Sequence, residues 1–145
     1  FTRENTHGEN TMAALANIAL NDSVPAAHTF EPAENKPGLI TYHDRSGGVT
    51  VGYPSLSLGS RLPTNSNRNH KATVRVRIPV LETSATAASG FTPGPTLSYS
   101  LMANVDFVIP DRSTALEKAN LLAYVANALD STPVGDLVTD AALPY

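Results

Sequence analysis

The sequence predicts an α+β fold in which a layer of four to six antiparallel strands is followed by one or two C-terminal helices. Three observations carry this reading. In Lys71-Ala-Thr-Val-Arg-Val-Arg-Ile-Pro-Val80 the odd positions offer Lys71, Thr73, Arg75 and Arg77, while every even position is apolar. That period of two describes a strand with one buried face and one basic face. Residues 97–109 repeat it, with Leu97, Tyr99, Leu101, Val105, Phe107 and Ile109 opposed by Ser98, Ser100, Met102, Asn104 and Asp106. Finally, Thr114-Ala-Leu-Glu117 after Pro110 is a capping box, and Leu121, Leu122, Val125 and Leu129 follow at helical spacing.

Taken in order, residues 1–14 are polar and show no sustained apolar period, so they read as an arm or lead-in to a single domain spanning 1–145. Phe1 in place of an initiator Met reads as a processed or trimmed end. Residues 15–20 and 28–30 flank Asn21-Asp-Ser-Val-Pro25, whose turn-forming residues predict an N-terminal hairpin. Residues 39–42 and 49–53 bracket Asp44-Arg-Ser-Gly-Gly48, predicting a second hairpin. Residues 55–62 alternate again, with Ser55, Ser57, Gly59 and Arg61 on the polar side and Leu56, Leu58 and Leu62 among those on the other. Pro63-Thr-Asn-Ser-Asn-Arg-Asn69 is a polar loop, and residues 82–96, rich in Ala, Ser, Thr, Gly and Pro, form a flexible surface loop between two long strands. Asp130-Ser-Thr-Pro133 ends the helix. The tail over 134–145 fits either a second short helix or an extended arm.

Burial is the difficulty of this architecture. One helix covers only part of a sheet's apolar face, so another copy of the chain is expected to cover the rest as a homodimer.

The net charge is −3, which alone argues against a polyanion partner. The average conceals an asymmetry, because Arg45, Arg61, Arg68, Lys71, Arg75 and Arg77 lie in a segment with no Asp or Glu. Repeated guanidinium groups on one side of a sheet are poor core material and suit phosphate. A merely solvated sheet face is the plain alternative.

Cysteine is absent, which excludes disulfides, thiolate metal sites and a thiol nucleophile. No apolar run reaches the roughly 18–20 residues that span a bilayer, and the chain reads as soluble. His7, His28, His43 and His70 are scattered without ligand spacing, so neither a metal nor another cofactor is expected. His43-Asp44 beside many serines sketches a hydrolase, yet no nucleophile elbow or oxyanion loop accompanies it. Gly47, Gly48 and Gly52 lack the Gly-Lys-Ser/Thr ending of a phosphate loop, and a turn explains them. Tyr99 falls on the apolar side of its strand and reads as core packing, not as a base-stacking platform.

Four blocks in this order give a resemblance to the coat proteins of the small single-stranded RNA bacteriophages, the leviviruses. They are Asp44-Arg-Ser-Gly-Gly48; Asn67-Arg-Asn-His-Lys-Ala-Thr-Val-Arg-Val-Arg-Ile-Pro79; residues 98–110 ending in Asn104-Val-Asp-Phe-Val-Ile-Pro110; and the helix over 114–129 with the closing Leu-Pro-Tyr145. The resemblance implies an N-terminal hairpin, a five-stranded antiparallel sheet and two C-terminal helices. It also implies an interlocked dimer in which each subunit's helices cross the partner, made in the bacterial host cytoplasm and assembled into an icosahedral capsid. In that family the polar sheet face looks inward on the genome, and in several members it grips an RNA hairpin that represses replicase translation. Carried over by position, the RNA-binding residues would be Ser57, Gly59, Arg61, Lys71, Thr73, Arg75, Arg77, Met102, Asn104 and Asp106. At Met102 better-known relatives can carry an aromatic, and at Gly59 a hydroxyl, so this chain departs at both. The alternative to a capsid subunit is a cellular β-sheet RNA-binding module that does not assemble, and a small hydrolase using His43 and Asp44 is the more distant third.

Overall fold

The computed structural model describes residues 15–144; the expected lead-in over 1–14, and Tyr145, lie outside the described residues. Strands β1 (Ile18–Asn21), β2 (Ala27–Lys36), β3 (Leu39–His43), β4 (Ser55–Arg61), β5 (Asn69–Glu82) and β6 (Thr96–Pro110) precede helices α1 (Ala115–Leu129) and α2 (Thr132–Asp140). The sheet runs β1-β2-β3-β4-β5-β6, so each strand's neighbour in space is its neighbour in sequence. The expected N-terminal hairpin is present as β1 and β2, and with it the antiparallel sheet has six strands.

The chain divides into two compact units. One holds the residues through Ser60 together with Thr73–Asp106. Its core is made by Phe30, Tyr42 and Leu56, with Ile18, Leu20, Ile40, Leu58, Val74 and Val76 packed around them. Val74 and Val76 are even positions of the alternating strand, as the period requires. Leu97, Tyr99 and Leu101 on β6 remain exposed.

The second expected hairpin does not form. Residues 49–53 are a short 3-10 turn over Thr50–Gly52, closed by Gly52 N–H donating to Val49 O at 2.9 Å and Tyr53 N–H donating to Thr50 O at 3.3 Å. This turn lies close against the Leu81 side chain of β5, since a Cβ on Gly52 would stand 2.7 Å from Leu81 Cδ1. Strand β3 pairs instead with β2 on one side and β4 on the other.

β2 itself runs well beyond the expected 28–30. Its pairing with β3 slips between Pro32 and Glu34, a bulge that accommodates a residue without an N–H donor. Pro37 and Gly38 then turn the chain into β3, with Gly38 at φ 77°. Ser60 N–H donates to Gly38 O at 2.9 Å and ties this turn to β4.

The other unit holds Arg61–Ala72 and the chain from Phe107 onward. Asp111 N–H donates to Arg68 O at 3.0 Å, and Arg68 Nε donates to Asp111 Oδ2 at 2.6 Å. The capping box of α1 is complete, with Glu117 N–H donating to Thr114 Oγ1 at 3.3 Å and Thr114 N–H donating to Glu117 Oε2 at 2.7 Å. Asp130 caps the other end. The tail resolves as a helix: Ser131 precedes α2, Pro133 sits in its first turn and Ala141 closes it in the left-handed region at φ 52°. No residue of α1 or α2 is buried, and Leu116, Leu122, Tyr124 and Leu129 are exposed.

Substituting Gly38→Ala should cost about 1–2 kcal/mol, because the left-handed conformation crowds a Cβ that would also sit 3.0 Å from Ser60 O. Gly47→Ala, where a Cβ meets nothing within 4 Å, should stay within about 0.5 kcal/mol of the parent. Equilibrium urea denaturation of the two variants checks both values.

Candidate nucleic-acid interface

Because residues facing each other across a ladder share a face, the odd positions of β3, β4 and β5 assemble one polar surface. Ser57 stands opposite Thr41, and their hydroxyls share a hydrogen bond at 3.4 Å. Gly59 stands opposite Leu39, and a Cβ built on it would lie 3.6 Å from Thr73 Cβ, an ordinary contact. Glycine is thus not sterically required at this position, and its lack of a side chain leaves the surface beside Thr73 open.

β5 and β6 are joined across this surface by a row of side-chain hydrogen bonds. Thr73 Oγ1 donates to Asp106 Oδ1 at 2.8 Å, and Arg75 Nε donates to Asn104 Oδ1 at 2.8 Å. Arg77 donates twice to Ser100 Oγ, from Nε at 3.2 Å and from Nη2 at 3.0 Å. Rising numbers on β5 meet falling numbers on β6, so the pair is antiparallel. Met102 lies between Ser100 and Asn104 in the alternation and is 67% exposed. Neither Arg75 nor Arg77 is ion-paired with a carboxylate among the described residues.

The first unit therefore brings together Ser57, Gly59, Thr73, Arg75, Arg77, Met102, Asn104 and Asp106 of the expected set. Arg61, exposed at the end of β4, and Lys71, half-buried in β5, belong to the second unit. Sequence reasoning left out Thr41 and Ser100 as site residues. The signal for Ser100 was present, since it shares the alternation of Met102, Asn104 and Asp106.

A second polar cluster lies apart from this row. His28 Nδ1–H donates to Asp44 Oδ2 at 2.9 Å, and its Nε2–H donates to Asp22 Oδ2 at 3.1 Å. Asp22 also accepts from the N–H groups of Val24 and Ala26 at 3.0 and 2.7 Å, while Asp44, 3% exposed, accepts from Ser46 N–H at 3.0 Å. The ring thus bridges the β1–β2 turn and the loop after β3. Its bonds to Asp22 and then to Asp44 raise the His28 pKa above its ordinary value. The N–H groups of Ala26 and Val24, and then His28, lower that of Asp22. Burial pushes the Asp44 carboxyl up, but Ser46 and His28 together pull it further down.

With both ring nitrogens committed to carboxylates, His28 has no free nitrogen to act as a general base. His43 packs near the Tyr53 ring, with centroids 6.2 Å apart, and Asp44 turns to His28, so the sketched His43–Asp44 pair does not assemble as an acid–base site. No group of three or more His, Asp or Glu suited to a metal ion occurs among the described residues. No helix among them is long and apolar enough to cross a membrane.

A curled antiparallel sheet with a hydrogen-bonded polar face and two C-terminal helices defines a phage capsid subunit once the chain is set beside known proteins. The family model for the levivirus coat protein matches residues 13–145, and the chain belongs to that family. The capsid protein of Pseudomonas phage PRR1 is 29% identical over 119 residues, covering 81% of this chain and 86% of that one. The virus-like particle of bacteriophage ESE058 superposes with a TM-score of 0.81 at 27% identity, covering 90% of this chain and 98% of that chain. The particle of bacteriophage NT-214 gives 0.80 at 29% identity, covering 92% of this chain and 100% of that chain. The protein is a structural capsid protein of an RNA phage and not an enzyme, and its place is the virion.

The Asp22–His28–Asp44 bridge gives this subunit a pH dependence of defined sign. A raised His28 pKa contributes stability that is complete below the unfolded value of about 6.5 and is lost as pH rises through the folded value. The lowered Asp22 and Asp44 values contribute above about 3.9 and are lost as pH falls through their folded values. The melting temperature of the parent relative to His28→Gln should therefore be highest between about pH 4 and 6.5 and shrink on the alkaline side. Thermal melts of both proteins across that range check it, and a gap that grows above neutrality would contradict the assignment.

Proposed function

We propose that this chain is the coat subunit of a single-stranded RNA phage, that it dimerises along the outer edge of β6 and assembles into an icosahedral shell, and that it binds genomic RNA on the polar face of its sheet. The observation that carries the RNA reading is the pair of exposed guanidinium groups of Arg75 and Arg77, held to uncharged partners on β6. Anionic phosphate supplies the charge these groups lack, and Ser57 and Thr73 add hydroxyls within reach of a base. Asp106 accepts from Thr73 in this row and so fixes that hydroxyl.

The dimer reading rests on β6, the last strand of the sheet and the longest at 15 residues. Among the described residues no further strand pairs with its outer edge, and such an edge is a template that a second antiparallel copy satisfies. The exposed Leu97, Tyr99 and Leu101 of β6, and the exposed Leu122, Tyr124 and Leu129 of α1, supply apolar surface for the same partner. Helices laid across the partner's sheet give each apolar surface its cover. Family membership favours this reading over an RNA-binding module that never assembles.

Recombinant protein viewed by negative-stain electron microscopy should form uniform spherical particles with the absorbance ratio of packaged RNA. Arg75→Ala together with Arg77→Ala should lower RNA per particle and leave dimers intact by native mass spectrometry. In solution it should reduce the salt slope of RNA binding by about 1.4, from about 0.7 for each lost phosphate contact. Unchanged RNA content and slope would defeat the assignment of this face; dimers that never assemble would defeat the capsid reading.

A further inference from the structure

We infer that Arg75 and Arg77 form a tandem fork that receives two successive phosphates of one RNA strand end-on, and that Asn104 and Ser100 are the positioning residues that fix this presentation. The inference rests on the RNA reading of the polar face and adds how that face holds its ligand. A guanidinium offers two edges for bidentate bonding, the side edge of Nε and Nη2 and the end edge of Nη1 and Nη2. Arg77 spends its side edge on a single oxygen, Ser100 Oγ, at 3.2 and 3.0 Å. Arg75 spends the Nε of its side edge on Asn104 Oδ1 at 2.8 Å. In both side chains the end edge remains for a ligand. Both anchors are uncharged, so neither cancels the positive charge offered to phosphate.

The spacing fits a polymer. Positions two apart on one strand are separated by about 6.7 Å and point to the same face, a step comparable with that between neighbouring phosphates of an extended RNA strand. The anchors also change when order is imposed. A free arginine gives up its rotamer freedom on binding, whereas one already hydrogen-bonded to the next strand has given it up on folding. Asn104 takes a role different from the base contact its residue type first brings to mind, because its carbonyl oxygen is committed to Arg75. Ser100 gains a role that its small side chain did not advertise.

The competing account is that these bonds only join β5 to β6. A double-mutant cycle separates the two. Dimers of the parent, Ser100→Ala, Arg77→Ala and the double variant are titrated with a short unstructured oligoribonucleotide at several salt concentrations, with thermal melts alongside. Ser100→Ala should weaken binding about three- to tenfold in the parent and have no effect once Arg77 is gone. Ser100→Thr, which keeps the hydroxyl, should restore affinity. Arg77→Lys should keep the salt slope, because the charge remains, while losing affinity with the fork. A Ser100→Ala loss of equal size in both backgrounds, or none where Arg77→Ala weakens binding, overturns the positioning role and leaves the RNA reading standing. If Arg75→Ala and Arg77→Ala both leave affinity and slope unchanged, the RNA reading fails and this inference fails with it.

Discussion

Strict alternation along β5 is the constraint on which the other features depend. A strand has only two sides, so a single period decides at once that Val74 and Val76 join the core and that Thr73, Arg75 and Arg77 do not. A slip of one residue would turn two guanidinium groups toward the core and the valines toward solvent, which charge desolvation strongly opposes. The cross-strand bonds to Ser100, Asn104 and Asp106 lock the same register from the polar side. The core side and the polar side of the strand are thus fixed by one pattern read from two faces.

The apolar budget of the subunit is thin by comparison. Phe30, Tyr42 and Leu56 are its buried hydrophobic residues among those described, and long runs of β6 and α1 stay exposed. In an assembled shell neighbouring subunits can cover such surface, and a subunit stabilised in that way melts in a manner that depends on its concentration and assembly state. The local devices that need no partner are correspondingly well made. They include the full capping box at Thr114, the bond between Arg68 and Asp111, and the His28 bridge.

Much of this was legible in the sequence where a local period governs. The strands containing residues 71–80 and 97–109, and the helix opened by Thr114, were all visible because each repeats its own signal over many residues. β2 was read too short, since Pro32 and the bulge after it break the period that identifies a strand. The stretch over 49–53 reads as a strand because Val49, Val51 and Tyr53 alternate, but it forms a 3-10 turn that packs against Leu81 of β5, a contact no local pattern encodes. His28 and Asp44 likewise lie 16 residues apart and meet only through the β2–β3 pairing. On the polar face, residue types were legible and hydrogen-bond assignments were not: the alternation placed Asn104 and Ser100 on that face without revealing that both accept from the arginines.

The serial order of the sheet has a consequence for how the subunit is made. Each strand pairs with the one just before it, so contacts close over short lengths of chain and the meander can build up as it leaves the ribosome. β6, whose outer edge is the dimer contact proposed above, is the last of the described strands to emerge. On that proposal the nascent chain carries no finished docking edge for most of its synthesis, and chains crowded on one messenger are spared premature pairing until each has an almost complete sheet to offer.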